Sequence, residues 1–121
     1  MKISDLGIPK TEEQFENMYE LWNNIISKIN EKNIDDNIVI TSGLRTKEQN
    51  QNVGGVPTSQ HLTGKAVDIK CKNGKTDTQN LVEWIKNNLN FDQLIEYNNY
   101  SFIHISYNKN KNRKEVIHTN K

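Results

Sequence analysis

Three segments of the 121-residue chain gather the polar residues that chemistry uses: Ser42-Gly43-Leu44-Arg45-Thr46, Ser59-Gln60-His61-Leu62-Thr63-Gly64-Lys65-Ala66-Val67-Asp68 and Phe102-Ile103-His104-Ile105-Ser106. His104 stands among apolar residues in a run suited to a buried strand, where an unpaired imidazole would cost roughly 1–3 kcal/mol. Asp68 is placed the same way between Val67 and Ile69, and a carboxylate among core residues calls for a cation or a full set of donors. His61 lies in the loop just before the strand of Asp68. Two imidazoles and one carboxylate are three good zinc donors that leave a fourth position for water, the arrangement of a hydrolytic site. A loop donor, one on the following strand and one on a neighbouring strand can converge. A satisfied structural polar cluster is the other reading of the same residues, because their spacing matches none of the helix-borne zinc motifs.

Secondary structure must bring these segments together. Thr11-Glu12-Glu13-Gln14 has the form of a capping box, and Phe15, Met18, Leu21, Trp22, Ile25, Ile26 and Ile29 follow at helical steps, so an amphipathic helix runs to about Lys32. Ile38-Val39-Ile40 reads as a short buried strand. Thr46-Lys47-Glu48-Gln49 opens a second, short helix that stops near Gly54-Gly55. Lys65 to Cys71 alternates as a strand, with Ala66, Asp68 and Lys70 on one face and Val67, Ile69 and Cys71 on the other. After the Asn73-Gly74 turn, Thr76 or Asp77 caps a third helix whose buried stripe is Leu81, Val82, Ile85 and Leu89, with Trp84 beside it. Phe91–Tyr97 and Ser101–Tyr107 form a hairpin around Asn98-Asn99-Tyr100. Asn108–Lys114 reads as mobile, and Val116–Thr119 as an edge strand. Helices and strands are segregated rather than alternating, which predicts an α+β fold with a small, mainly antiparallel sheet flanked by helices.

Composition sets the outer limits. A chain of this length makes one domain, taken as 1–121. Sixteen Lys+Arg balance 15 Asp+Glu for a net charge of +1, which gives no basic face for nucleic acid. No apolar run approaches the roughly 20 residues of a membrane span, so no membrane insertion is expected. Met1-Lys2-Ile3-Ser4-Asp5 lacks the apolar stretch of a signal peptide. The single Cys71 excludes an intrachain disulfide, and a monomer is expected.

The pattern Ser-x-His-x-x-Gly-x-Ala-x-Asp over Ser59–Asp68, preceded by Ser-Gly-x-Arg-Thr and followed by Phe-Ile-His-Ile, resembles the zinc D-Ala-D-Ala carboxypeptidase family. Its relatives include the vancomycin-resistance VanX- and VanY-like enzymes and phage L-Ala-D-Glu endolysins, and its fold group takes in the hedgehog signalling domain. The resemblance covers residues 38–107. It implies one zinc ion bound by His61, Asp68 and His104, and a substrate drawn from peptidoglycan stem peptides. It gives Arg45 the role of stabilising charge on the attacked carbonyl oxygen. Ser59 and Gln60, beside the first ligand, become candidates for substrate contact, with loop capping an equal alternative for Ser59. Gly64 and Ala66 read as small residues that let backbone pass close to the metal.

The general base departs from the family pattern. Where better-known members carry Glu three residues, or His two residues, before the last ligand, this chain has Ser101 and Phe102. If Tyr97 pairs with Ser101, Leu94 faces His104, and Asp92 and Glu96 share the metal's face. Asp92 is then the favoured base and Glu96 its alternative, though a one-residue slip would turn both away. Phe91-Asp92-Gln93-Leu94-Ile95 also resembles a segment of the family's compact, phage-rich branch. Cys71 falls on the opposite strand face and packs as a small apolar residue. His118 lies beyond the polar stretch and reads as solvated, and Trp22 and Trp84 as core.

Overall fold

The computed structural model describes residues 1–120. A 3-10 turn at Ile3–Leu6 leads into α1 (Glu12–Leu21), which continues through a π turn at Trp22–Ile26 into α2 (Ser27–Asn30). Then come β1 (Ile38–Ser42), α3 (Lys47–Asn52), a 3-10 turn at Gln60–Leu62, β2 (Ala66–Cys71), α4 (Lys75–Asn88), β3 (Gln93–Tyr97), β4 (Ile103–Ser106) and β5 (Glu115–Thr119). The five strands form one sheet in the order β1-β2-β4-β3-β5, antiparallel except for the parallel β3–β5 edge. This is the α+β architecture that the segregated pattern predicts.

One face of the sheet makes the core. Val67, Ile69 and Cys71 of β2, Ile103 and Ile105 of β4 and Leu94 of β3 are buried there with Leu21, Ile25, Ile26 and Ile29 of the first helix and Leu81, Val82 and Ile85 of α4. Each such side chain contributes about 1.5–3 kcal/mol by leaving water. The opposite face carries Asp68 and His104, paired directly across β2 and β4. Asp68 also pairs with Ser42, and Ile40 with Ile69, so β1 holds one extra residue, Thr41, between those pairs. That bulge turns Ser42 onto the Asp68 face, where regular alternation would have sent it to the core.

The caps at Thr11 and Thr46 form as the sequence predicts, each hydroxyl accepting from the amide three residues on. The third helix differs. It starts at Lys75 behind Gly74, which at φ 111° offers no side-chain cap. Asp77 instead accepts from Asn37, and the Thr78 hydroxyl donates to the Gly74 carbonyl. Phe15 leaves the buried stripe, lying 58% exposed and stacked on Tyr19. Trp22 and Trp84 are only partly buried against the core. Within Asn108–Lys114, Lys109 meets Glu16 at 3.1 Å, and the Lys114 amide donates to the Phe91 carbonyl at 2.9 Å.

Gly64 shows why the loop before β2 needs a glycine. Its φ is +81°, and a Cβ there would sit 2.7 Å from Met18 Cγ and 2.9 Å from the Gln14 carbonyl oxygen. The constraint comes from α1, not from the metal site as the family pattern suggested. Around it Gln14 Nε2 donates to the Leu62 carbonyl and Asn17 Nδ2 to the Thr63 carbonyl, so α1 holds the loop that carries His61. Gly64→Ala should therefore destabilise the fold by about 2 kcal/mol through clash and backbone strain. Urea unfolding would read this as a lower midpoint at unchanged slope.

Candidate metal centre

His61, Asp68 and His104 come together from a loop, β2 and β4, each offering a ligand atom within 4.8 Å of the other two. All three are buried, with relative exposures of 2%, 5% and 8%. His61 Nδ1 lies 2.8 Å from the Gly43 carbonyl oxygen. A carbonyl only accepts, so Nδ1 carries the hydrogen and the neutral ring presents a bare lone pair at Nε2. That lone pair faces Asp68 Oδ1 at 3.1 Å. His104 Nδ1 approaches the same oxygen at 3.2 Å, and its Nε2 is buried with no partner among the described residues. Two lone pairs aimed at each other across a buried gap repel, unless a proton or a metal cation lies between them. The donor set of two imidazoles and one carboxylate, at this spacing, fits zinc.

The surroundings fix these atoms. The Gly43 carbonyl sets the His61 tautomer, a role usual for outer partners of metal-bound histidine. Gly43 itself is required by close packing, because a Cβ there would lie 2.5 Å from the Leu6 carbonyl oxygen. The Arg45 amide donates to the His61 carbonyl at 3.0 Å. The Arg45 guanidinium donates to Asp68 Oδ2 at 3.2 Å, to Ser42 Oγ at 3.1 Å and to Asn50 Oδ1 at 3.3 Å. Arg45 thus orients the carboxylate by the oxygen that the two imidazoles leave free. Burial pushes the Asp68 carboxyl up; with a proton on the facing nitrogens of His104 and His61, their hydrogen bonds outweigh burial and hold it at about 2.

Ser59 takes the loop-capping role, accepting from the His61 amide at 3.2 Å. Gln60 turns to Asp92, donating to its Oδ2 at 2.8 Å. Cys71 is buried on the core face, and burial raises its thiol pKa. His118 is exposed on β5 with Nε2 2.7 Å from Asn98 Oδ1. Neither joins the cluster.

The expected register of the hairpin is corrected. Ile95, not Leu94, pairs with His104, and Leu94 pairs with Ile105. The one-residue slip puts Gln93, Ile95 and Tyr97 on the metal's face and turns Glu96 to the other. Glu96 is buried there, accepting from the Tyr100 hydroxyl at 2.7 Å and paired with Lys86 Nζ at 3.0 Å. Burial opposes its ionisation, but those two partners hold its pKa below the usual range. Asp92 precedes β3, and its carboxylate is fully engaged. It accepts from Arg113 Nε at 2.9 Å, Arg113 Nη2 at 3.2 Å, the Arg113 amide at 3.1 Å and Gln60 Nε2. Hydrogen bonds from Arg113, against an opposing push from burial, bring Asp92 to about 2. Asp92 thereby links Arg113, just before β5, to Gln60, and Glu96 links β3 to α4.

Sequence reasoning did not find Gly43, Ser42, Asn50 or Arg113 as partners of the site. Asn50 lies in a polar helix and Arg113 in a polar run, where nothing distinguishes them from solvated residues.

Zinc should bind the wild-type chain at one equivalent and raise its Tm, by about 4 kcal/mol of stability at a thousandfold excess over Kd. His61→Ala should abolish both effects, as read by elemental analysis and thermal melts. The lowered pKa of Asp92 makes a second prediction. Its contribution is complete above about pH 4 and disappears as pH falls towards 2. Asp92→Asn should flatten the stability profile in that window.

A family model described as Peptidase M15 matches residues 7–106, a span that takes in Arg45, all three donors and the four strands from β1 to β4. No curated protein matches the chain. The coverage of the match and the buried His-Asp-His set agree, and the chain belongs to peptidase family M15, the zinc D-Ala-D-Ala carboxypeptidase family.

Proposed function

We propose that this protein is a zinc-dependent hydrolase of amide bonds in bacterial peptidoglycan stem peptides, of the D-Ala-D-Ala carboxypeptidase or L-Ala-D-Glu endopeptidase type. The observation that carries the reading is the shared Asp68 Oδ1, held 3.1 and 3.2 Å from two imidazole nitrogens in a buried pocket. A zinc ion held there supplies Lewis acidity for the scissile carbonyl and acidifies water. The chain's own part is positional. Gly43 and Arg45 hold His61 and Asp68 in a fixed geometry, so little reorganisation is needed on binding. The guanidinium of Arg45, 18% exposed at its side chain, can also place positive charge beside a substrate oxygen. Ser59 and Gln60 shape the loop next to His61 and place its backbone along the substrate's path. The setting proposed with this activity is a phage lysin working as a monomer, from the host cytoplasm or a virion; the Phe91–Ile95 segment, similar to the family's phage branch, supports it.

The second reading is a zinc-containing structural or binding module with the same fold. One observation favours it: the carboxylates of Asp92 and Glu96 are both engaged by cations, leaving Asp68 without a free acidic neighbour near His104. Digestion of purified sacculi by the zinc-loaded chain, followed by mass spectrometry, separates the two. The enzyme reading expects stem-peptide fragments from wild type, none from His61→Ala, and release within about threefold of wild type from Glu96→Gln, whose carboxylate lies on the other sheet face. Stoichiometric zinc and tight binding to sacculi without any fragment would instead establish the module.

A further inference from the structure

On the metal-bearing face of the sheet, one half-buried aromatic residue carries a protic group without a hydrogen-bond partner among the described residues. Tyr97 ends β3 on the face of Ile95 and His104. Its ring lies 4.5 Å from that of Phe102, which immediately precedes β4, so the phenol leans over β4 and away from the β5 edge. The side chain is half-buried, and its hydroxyl is within electrostatic reach of both Asp68 and Arg45. No side chain among the described residues hydrogen-bonds that hydroxyl. Two hydroxyls nearer the donors are taken, Ser42 by Arg45 Nε and Ser106 by the Gln93 amide.

We infer that Tyr97 is a further catalytic residue, whose phenolic hydroxyl donates a hydrogen bond to the oxygen of the scissile carbonyl as negative charge develops on it. The inference rests on the peptidase reading of the same site. The chemistry suits the role. Burial and the nearby Asp68 raise the phenol's pKa, so it remains a donor throughout the neutral range. A donor aimed at developing charge from a partly dry face stabilises the transition state more than the ground state. Tyr97 and Arg45 would approach the reacting oxygen from opposite sides of the donor cluster, one from β3 and the other from the β1–α3 connection.

Tyr97→Phe keeps the ring and its packing on Phe102 and removes only the hydroxyl. Zinc stoichiometry and Tm should stay at wild-type values. Stem-peptide hydrolysis should lose roughly 100-fold in kcat with KM within about twofold. Phosphinate analogues of D-Ala-D-Ala and of L-Ala-D-Glu, which carry the transition state's charge, should bind at least about 10-fold more weakly to the variant, while the affinity for the uncharged-centre dipeptides stays unchanged. Equal kcat and equal phosphinate affinity in wild type and Tyr97→Phe would overturn the role of Tyr97 while leaving the peptidase reading intact. A wild-type chain that binds zinc but neither hydrolyses sacculi nor binds either phosphinate would overturn both.

Discussion

The structure depends on one crowded oxygen. Asp68 Oδ1 lies within 3.2 Å of a nitrogen from each of two buried imidazoles, and at His61 the hydrogen is committed to the Gly43 carbonyl on the far side of the ring. Burying a carboxylate and two imidazoles is unfavourable unless something positive joins them. The arrangement persists because three separate elements hold it: the loop docked on α1, the β2–β4 register, and Arg45 gripping the second carboxylate oxygen. Removing any of these would leave polar groups buried without partners, and close packing adds its own limit, since a Cβ would meet Leu6 at Gly43 and Met18 and Gln14 at Gly64.

The two faces of the sheet divide the labour. Apolar residues on one side pack under the helices, and the ionisable groups there, Glu96 and Lys86, pair to tie α4 to β3. The other side carries the donors. At its margin Asp92 joins the β5 strand, through Arg113, to the loop of His61, through Gln60. The two carboxylates that stand out near the hairpin thus join separate elements, Asp92 through Arg113 and Gln60 and Glu96 through Lys86.

Much of this was legible from residue order, for a physical reason. Polar residues stranded among apolar neighbours, as Asp68 and His104 are, announce a buried polar cluster, and strict alternation in β2 assigns Asp68 and Cys71 to opposite faces. The helices were legible through their threonine caps and apolar periodicity. Hairpin register was not, because it turns on the difference between pairing Tyr97 with Ser101 and with Phe102, and the Asn-rich turn is compatible with either. That single step moved Glu96 off the face and Tyr97 onto it. The β1 bulge was equally hidden, since Ile-Val-Ile-Thr-Ser alternates acceptably with or without it, yet it decides where Ser42 and hence Arg45 point. Partners reached through space from polar runs, such as Asn50 and Arg113, leave no trace in local pattern.

The central claim is that His61, Asp68 and His104 hold a zinc ion directly. X-ray absorption at the zinc edge of the loaded protein tests it most directly. The account predicts two imidazole nitrogens at about 2.0–2.1 Å with their outer-ring scattering, a carboxylate oxygen at about 2.0–2.2 Å, and a further light-atom ligand. A spectrum without imidazole scattering, or with the six equal oxygen neighbours of a hydrated surface ion, would contradict it.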